Sequence, residues 1–296
     1  MMDWLQQLVN GLILGGIYAL LSLGYTMVYG IIKLINFAHG DIFMVGAFLG
    51  YFFVNHLHLN IFVALILSMV FTAILGVIIE FFAYRPLRKS TRIAALITAI
   101  GVSFLVENVM IYFLGSNNRG FQDLSNPVFK EVNYEFGSIQ VSNIQLLILF
   151  VSIFLMLALQ FIIKKTKMGK AMRAVSVDSD AAQLMGINVN HTISFTFALG
   201  SALAGAAGVL IGLYYNSIDP LMGVTPGLKA FVAAVLGGVG IIPGAALGGF
   251  VIGLLETFTS AIGFSSFRDA AVYGILIIIL LIRPAGILGK NLKEKV

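Results

Sequence analysis

The sequence predicts an all-α, polytopic membrane protein in which residues 1–296 form one bundle of about eight transmembrane helices. Of the 296 residues, 59% are hydrophobic and only 10% are charged, and the mean hydropathy is +0.99. Because soluble domains carry about 25% charged residues, a large soluble protein with buried helices is excluded: its surface would lack polar cover. Several separate apolar stretches approach or exceed the ~20 residues that a helix needs to cross a bilayer.

The apolar stretches follow one another along almost the whole chain. The first stretch runs from near the N-terminus to about Gly30. It has neither a basic segment ahead of it nor a clear cleavage site, so we interpret it as a retained span rather than a signal peptide. Further spans are predicted at about 41–57, 61–84, 93–114, 143–163, 192–213 and 269–282, with a glycine-rich region at 228–262. Small residues recur at four-residue steps, as in Gly200, Ala204 and Gly208, a spacing typical of closely packed helices in lipid.

Thirteen of the eighteen basic residues fall in three clusters that bound the predicted spans. The clusters comprise Arg85, Arg88, Lys89 and Arg92; Lys164, Lys165, Lys167, Lys170 and Arg173; and Arg283, Lys290, Lys293 and Lys295. The excess of Lys and Arg in cytoplasmic loops predicts that all three are cytoplasmic, together with the C-terminus. The polar, slightly acidic loop 115–142 is then extracytoplasmic, and counting crossings backward places the N-terminus outside.

The same counting constrains the glycine-rich region, which must start and finish outside. It is long enough for one full helix and one short helix, with breaks at Gly237-Gly238 and at Pro243-Gly244. We therefore expect a short or re-entrant helix, a turn and a returning helix near 228–262. Irregular backbone at membrane depth survives where it is buried in protein or lines a watery cavity, and broken helices often shape transport sites. A tightly packed corner that needs small residues is the alternative.

Motifs for catalysis or cofactor binding are absent from the sequence. There is no G-x-x-x-x-G-K-[ST] phosphate loop, no H-E-x-x-H motif, no cysteine and no evident Ser/His/Asp arrangement. We expect no catalytic residue, no metal site and no cofactor in this chain, and the placement of its basic residues gives no reason to expect nucleic-acid binding.

Ionisable residues within predicted spans are the remaining candidates for function, because their burial in a membrane is costly. Glu107, with its neighbour Asn108, and Glu256 are the deepest acids and are predicted to line a translocation path or gate. Interhelical hydrogen bonding, or a protonated neutral acid, is the alternative. Glu80, next to the first basic cluster, is expected to be an ion-pair partner near the membrane interface.

The stretch "LINFAHGDIF" interrupts an apolar region with Asn36, His39, Gly40 and Asp41. We place it at a cytoplasmic turn or a re-entrant entry into the second span. There Asn36 and Asp41 are expected to cap exposed backbone, Gly40 to permit a sharp bend, and His39 to hydrogen-bond to another helix. Gating or lining of the inner path is the functional interpretation, and structural bracing is the alternative.

The cytoplasmic segment within 164–190 is the strongest functional signal. A short amphipathic helix is predicted from Asp180 to Met185, with Asp178 or Ser179 as N-cap and Gly186 as the stop. The pattern D-A-A-x-x-x-G resembles the E-A-A-x-x-x-G loop of ABC importer permeases, where a coupling helix seats in a groove on the ATPase subunit. The resemblance assigns ATPase docking to Arg173, Asp178, Asp180, Ala181, Ala182 and Gly186.

The resemblance extends over nearly the whole chain. The segments "LINFAHGDIFMVGAF", "GKAMRAVSVDSDAAQLMGINV", "TFALGSALAGAAGVL" and "LGGVGIIPGAALGGFVIGLLE" together resemble the branched-chain amino-acid permeases of bacterial ABC importers. The short N-terminus is similar to that of the first of the two permeases. One departure concerns the coupling helix, where the family commonly has proline and glutamate and this chain has Ser179 and Asp180. Asp180 keeps the negative charge of the glutamate, but without the proline the resemblance does not define how the start of the helix is capped.

This resemblance implies a transport subunit of the bacterial cytoplasmic membrane that is not itself an enzyme. The expected partners are a second, related permease, two cytoplasmic subunits that bind ATP and Mg, and an extracytoplasmic substrate-binding protein. Leucine, isoleucine and valine are the expected substrates, moved by alternating access; urea, amides or other amino acids are alternatives within the family. A stand-alone secondary transporter or channel, with Glu107 and Glu256 as coupling residues, is the main competitor from another class, and a structural scaffold is a third.

Overall fold

The computed structural model describes residues 4–88, 90–120, 132–136 and 139–289. Helices and two short strands follow one another in the order α1 (Trp4–Ile32), α2 (His39–Asn55), α3 (Ile61–Ile79), α4 (Arg92–Leu114), β1 (Asn133–Phe136), β2 (Ile139–Ser142), α5 (Asn143–Lys165), α6 (Lys167–Val177), α7 (Ser179–Leu184), α8 (Val189–Tyr215), α9 (Val224–Gly237), α10 (Ile242–Ala261) and α11 (Arg268–Ile282). A π-helical turn, Glu80–Tyr84, extends α3, and a 3-10 turn, Ser265–Phe267, precedes α11.

The all-α membrane fold that the sequence predicts is confirmed. Seven helices in the described part of the chain are long and apolar enough to cross a membrane, and α2, with 17 residues, falls just short of that length. The helices α1 and α8 are almost entirely buried, whereas α4, α5 and α11 expose most of their apolar residues. The bundle is therefore built around α1 and α8, and its outer helices present apolar faces to lipid or to other proteins.

Close backbone contact holds the central helices together. Gly253 of α10 lies against the backbone of Gly15 in α1, with Gly249 against Ala19 one turn along. Gly208 of α8 meets the backbone of α2 at Phe43 in the same way. A Cβ atom at either Gly253 or Gly208 would overlap the facing backbone. The small-residue spacing seen in the sequence is thus used for packing, as expected in lipid, where no hydrophobic drive acts between helices.

The glycine-rich region forms the predicted short helix, turn and returning helix. With 14 residues, α9 is about 21 Å long, which is less than the ~30 Å of a bilayer core, and it ends at Gly237. Gly238, at φ +109°, starts the turn, and Pro243 lies in the first turn of α10, where its missing N–H costs nothing. The turn is covered by the chain after α11, since the Ile287 N–H donates to the Leu236 carbonyl at 2.8 Å.

The entry into α2 differs in detail from the sequence prediction. The chain turns between Lys33, at φ +55°, and Ala38, and α2 begins at His39. The His39 ring packs against Gly24, which lies eight residues before the end of α1. This places the start of α2 about 12 Å above the end of α1. The turn precedes Gly40, so the expected bend at Gly40 is wrong. Gly40 instead permits close approach, because its Cα faces the backbone of Gly223.

The predicted capping of α2 by side chains is also wrong. Its N-cap is Ala38, with no side-chain hydrogen bond. The Asn36 side chain is used elsewhere, since its Oδ1 accepts from the Tyr84 hydroxyl at 2.9 Å. His39 does bond across to another helix, through the Leu21 backbone of α1. The segment is therefore held by contacts to neighbouring elements rather than by its own caps.

The region 115–142 carries a small hairpin, in which β1 pairs antiparallel with β2 from Asn133 opposite Ser142 to Phe136 opposite Ile139. Gln6 of α1 fixes the hairpin, since its side chain exchanges hydrogen bonds with the Gln140 backbone at 2.7 and 2.9 Å. Residues 121–131 and 137–138 of this predicted loop lie outside the described residues. So do Lys89, Lys290, Lys293 and Lys295 of the basic clusters.

Candidate functional site

Two of the predicted path residues, Asp41 and Glu107, meet although they lie on different helices. Asp41 is in the first turn of α2, and Glu107 lies two turns before the end of α4. They are 2% and 7% exposed. The Asp41 carboxyl group interacts with the Ser103 hydroxyl and with Glu107, while its Oδ2 atom has no hydrogen-bond partner in the described structure. The sequence therefore identified both acids but not their contact.

These acids line a pocket of about 240 Å³, which we call the carboxylate pocket. It lies where α2, α4 and the start of α9 come together. Its lining is Tyr25, Phe37, Gly40, Asp41, Ile100, Ser103, Phe104, Glu107, Gly223, Val224, Gly227 and Leu228. Asn108 is not part of it: this side chain is exposed, and its Nδ2 donates to the Phe104 carbonyl within α4 at 2.7 Å.

His39 and Asn36 brace the chain next to this pocket. The His39 ring packs edge-on against Tyr25 with 4.7 Å between ring centroids, and it is 1% exposed. Asn36 is also buried, and its side chain accepts a hydrogen bond from the hydroxyl of Tyr84 in the π-helical turn. Both side chains thus hold the entry of α2 against its neighbours and do not line the pocket.

Glu256, the third predicted path acid, belongs to a separate cluster of charges, in which Glu256 and Lys229 are buried and Arg268 and Asp269 are partly exposed. Lys229 of α9 lies between Glu256 Oε1 at 2.9 Å and Asp269 Oδ1 at 2.7 Å. Arg268 approaches the same Glu256 oxygen at 3.6 Å, and the Tyr18 hydroxyl donates to Glu256 Oε2 at 2.8 Å. The cluster ties α1, α9, α10 and α11 together, so Glu256 has the partners that a buried carboxylate requires.

Lys229 is a residue that the sequence analysis missed. It is 2% exposed, in the middle of the apolar run "PGLKAFVAAVLGG". The sequence does indicate Lys229 as a candidate, because an ionisable residue within a membrane segment needs a partner. Its pairing with Glu256 and Asp269, both distant in sequence, was not visible from one chain.

Glu80 is fully buried and ion-paired, as expected from its position beside the first basic cluster. It contacts both Arg85, at 3.2 Å, and Arg88. The Ser194 hydroxyl of α8 also donates to Glu80, at 2.7 Å. Desolvation lowers the pKa of the Arg88 guanidinium from its usual value, and the Glu80 carboxylate opposes that shift. This cluster joins the end of α3 to the start of α8.

The short helix predicted within 164–190 is present as α7. Asp178 is its N-cap, and Oδ1 accepts from the backbone N–H groups of Asp180 and Ala181, both at 2.9 Å. Gly186, at φ +84°, ends it, and the Ile187 N–H donates back to the Ala182 carbonyl at 3.0 Å. The loss of the family's proline therefore leaves a well-formed cap, supplied by the aspartate ahead of Ser179.

The exposed surface of α7 has a polar part, with Ser179, Asp180 and Gln183, and an apolar part. Leu184 and Met185 are 89% and 83% exposed, and Ala181 lies on the same open surface. Ala182, in contrast, is 5% exposed and packs into the protein. Arg173 of α6 donates to the Ile163 carbonyl of α5 and so holds α6 in place. The six residues of the predicted docking set thus divide into surface and supporting positions.

An open cleft of about 880 Å³ lies beside α7. Residues from five parts of the chain line it: Ile31, Ile32, Arg85, Pro86, Arg88, Val175, Ser179, Asp180, Gln183, Gly186, Ile187, Asn188, Val189, Asn190 and Ile193. The end of α1, the Glu80 cluster, α7 and the start of α8 therefore share one surface of the bundle.

Gly237, Gly238 and Pro243 lie in neither place. They form the turn between α9 and α10, where Gly237 packs against the backbone of Gly244 and Gly238 against Ala285 and Gly289. The structure thus separates the predicted path residues: Gly40, Asp41 and Glu107 line the carboxylate pocket, Glu256 belongs to the Lys229 cluster, Gly237, Gly238 and Pro243 form this packed turn, and Asn36, His39 and Asn108 lie in none of the three. Among these three places, the described residues leave a cavity of substantial volume at the carboxylate pocket.

In comparisons with known proteins, the family model and the similar proteins belong to the same class of transport system. Residues 7–281 match the family model described as branched-chain amino acid transport system, permease component. The chain is 42% identical to the high-affinity branched-chain amino acid transport system permease protein BraD of Pseudomonas aeruginosa, over 99% of this chain and 98% of BraD. It is 40% identical to the corresponding permease protein LivH of Escherichia coli, with the same coverage.

A solved structure shares the fold. A chain of PsaBC from Streptococcus pneumoniae in complex with Fab superposes with a TM-score of 0.51, covering 96% of this chain and 93% of that chain. Sequence identity to it is 15%, so this likeness concerns the fold alone.

The Lys229 cluster generates a test of stability. We expect Lys229→Met to lower the free energy of unfolding by about 3–5 kcal/mol, because it leaves Glu256 buried with a weaker partner. The double variant Lys229→Met/Glu256→Gln is expected to recover much of this loss. Denaturant unfolding of the purified protein in detergent measures both. Arg268→Met is the control: this side chain is 47% exposed, and its removal should cost less than about 1 kcal/mol. Equal stability of Lys229→Met and wild type would contradict the assignment.

Proposed function

Because the chain belongs to the family of permease components of branched-chain amino acid transport systems, we propose that it is the membrane-spanning subunit of an ATP-driven importer of leucine, isoleucine and valine. The observation that carries this proposal is the 40–42% identity to permeases of that transport class over 98% of their length. Such coverage gives little support to a stand-alone transporter or channel, or to a scaffold. Urea or amides remain the substrates against which the proposal is tested.

The proposed partners are a second, related permease, two cytoplasmic subunits that bind ATP and Mg, and an extracytoplasmic binding protein. The apolar part of the exposed surface of α7, with Ala181, Leu184 and Met185, suits a groove on an ATPase subunit. The adjoining cleft, at about 880 Å³, can receive side chains of that subunit. The exposed apolar faces of α4 and α11 offer surfaces for the second permease.

The connection from α7 into the bundle supports an alternating-access mechanism. The Ile187-to-Ala182 hydrogen bond ties the end of α7 to the start of α8. The Glu80 cluster ties that start of α8 to α3. Because α8 also packs closely on α2, a displacement of α7 by the ATPases moves a connected set of elements. We propose that this set opens and closes the path at the entry of α2.

The proposed location is the bacterial cytoplasmic membrane, with the N-terminus outside and the C-terminus in the cytoplasm. The basic residues of α5 and α6 support this orientation under the positive-inside rule. The cleft, α7 and the C-terminal segment then face the cytoplasm, and the β1–β2 hairpin faces outward.

Uptake assays test the substrate. We expect proteoliposomes that hold this chain with its partner subunits and binding protein to accumulate labelled leucine only in the presence of ATP and Mg. Unlabelled isoleucine or valine should compete, while urea and short amides should not. Vesicles without ATP are the control. Accumulation of urea or amides in place of leucine would show that the substrate assignment is wrong.

The docking surface on α7 gives a second expectation. Leu184→Glu places a charge where an apolar side chain would be buried against the ATPase, and an unpaired buried charge is costly. We expect ATP-dependent leucine uptake to fall at least about ten-fold, which corresponds to ~1.4 kcal/mol. Leu184→Met, which keeps an apolar surface, should retain uptake. If Leu184→Glu inserts normally and transports at the wild-type rate, α7 does not dock the ATPase.

The absence of cysteine allows the orientation to be measured directly. Single-cysteine variants Glu135→Cys in β1 and Lys170→Cys in α6 both place the thiol at exposed positions. A membrane-impermeant maleimide should label Glu135→Cys in intact spheroplasts and Lys170→Cys only after permeabilisation. The reverse labelling pattern would invert the proposed topology.

A further inference from the structure

The carboxylate pocket contains a charge arrangement that its own residues leave incomplete. Asp41 and Glu107 reach it from α2 and α4. Asp41 is 2% exposed, and its buried Oδ2 atom has no hydrogen-bond partner in the described structure. Two carboxyl groups in contact away from water are accommodated when a proton or a cation lies between them. The lining of the pocket contains no Lys, Arg or His to supply that cation.

The other deeply buried acids show what a completed arrangement looks like in this protein. Glu80 is paired with Arg85 and Arg88, and Glu256 is paired with Lys229. Within the described residues, no such ion pair is formed by Asp41 or Glu107. The charge of these two acids is therefore left to be balanced by a proton or by a cation from outside the chain.

The size and the remaining lining of the pocket narrow the identity of that cation. The volume of 240 Å³ is below the ~300–1,000 Å³ of pockets for drug-sized ligands and suits a small molecule. Apolar side chains, among them Phe37, Phe104 and Leu228, form much of the wall. A primary ammonium group with three N–H donors and a short apolar side chain matches both parts of this surface.

The start of α9 adds a complementary feature. Its N-cap is Gly223, with no side-chain hydrogen bond, and both Gly223 and Val224 line the pocket. The positive end of a helix dipole favours a negatively charged group nearby. A ligand held by its ammonium group at Asp41 and Glu107 therefore has a favourable position for a carboxylate at the first turn of α9.

From these observations we infer that the carboxylate pocket is a transient binding site for the transported amino acid, with Asp41 and Glu107 receiving its ammonium group and the start of α9 facing its carboxylate. This inference rests on the proposed function, because it takes the substrate to be a small apolar amino acid. Gly40, Gly223 and Gly227 are explained by the same site: they bring the backbones of α2 and α9 into contact beside it.

Charge-neutral variants test the ammonium site in the assembled importer. Asp41→Asn and Glu107→Gln keep the shape of each side chain and remove its charge. We expect leucine uptake per ATP hydrolysed to fall at least about ten-fold, a loss of ~1.4 kcal/mol, in either variant. Glu107→Asp, which keeps the charge, should restore most of the uptake. Glu135→Gln, which removes an exposed carboxylate of β1, is the matched control and should transport as wild type.

A stability measurement separates binding from structural bracing. Removal of one of two contacting carboxylates relieves repulsion, so the thermal midpoint of the Glu107→Gln complex should equal or exceed that of wild type. Uptake within two-fold of wild type in both variants would overturn the inference. A joint fall of uptake and thermal midpoint would also overturn it, because the acids would then brace the fold.

A ligand comparison addresses the ammonium group itself. Without the binding protein, millimolar leucine should raise the thermal midpoint of the wild-type complex, whereas 4-methylpentanoate, which lacks the ammonium group, should not. Equal effects of the two compounds would refute the ammonium assignment. If the wild-type complex accumulates no leucine at all, the proposed function fails. If it does and the variants match it, only the present inference fails.

Discussion

Close backbone contact between α1, α8 and their neighbours is the constraint on which the rest of the structure depends. In a bilayer, lipid tails solvate apolar helices as well as other helices do, so association relies on packing and on polar contacts. The contact of Gly253 with Gly15 brings α10 close to α1, and the contact of Gly208 with Phe43 brings α8 close to α2. At such distances a side chain can bond to a neighbouring backbone, as the Ser22 hydroxyl of α1 does to the Ala245 carbonyl of α10. The buried ion pairs and the carboxylate pocket both require this close packing to exclude lipid.

The sequence was sufficient where a feature is set by neighbouring residues. The break at Gly237-Gly238, the short helix after Asp178 and the pairing of Glu80 with nearby arginines all depend on local chemistry, and each is found in the structure. Long-range features were out of reach. The contact of Asp41 with Glu107, and the partners of Lys229, join residues far apart along the chain, and one sequence carries no record of such pairs. The capping expected of Asn36 failed because a tertiary partner, Tyr84, took its side chain.

The buried charges divide into two kinds with different consequences. The Glu80 and Glu256 clusters are satisfied by the chain's own cations and join helices that must stay together. The acids of the carboxylate pocket contact one another and line a space that another molecule can occupy. In the importer that we propose, a weak site of this kind suits passage, because binding that is too favourable would retain the substrate. On that proposal, the rigid clusters hold the helices together while the pocket admits the substrate.

The shortness of α9 bears on how the protein is made. A 14-residue segment with a lysine in it is a poor candidate for insertion by itself, since a lysine at the centre of a membrane helix costs about 2.5–3.5 kcal/mol on insertion scales. The acids that neutralise Lys229 belong to α10 and α11, which leave the ribosome later. The partners that stabilise α9 in its final position are therefore available only after α10 and α11 have been made.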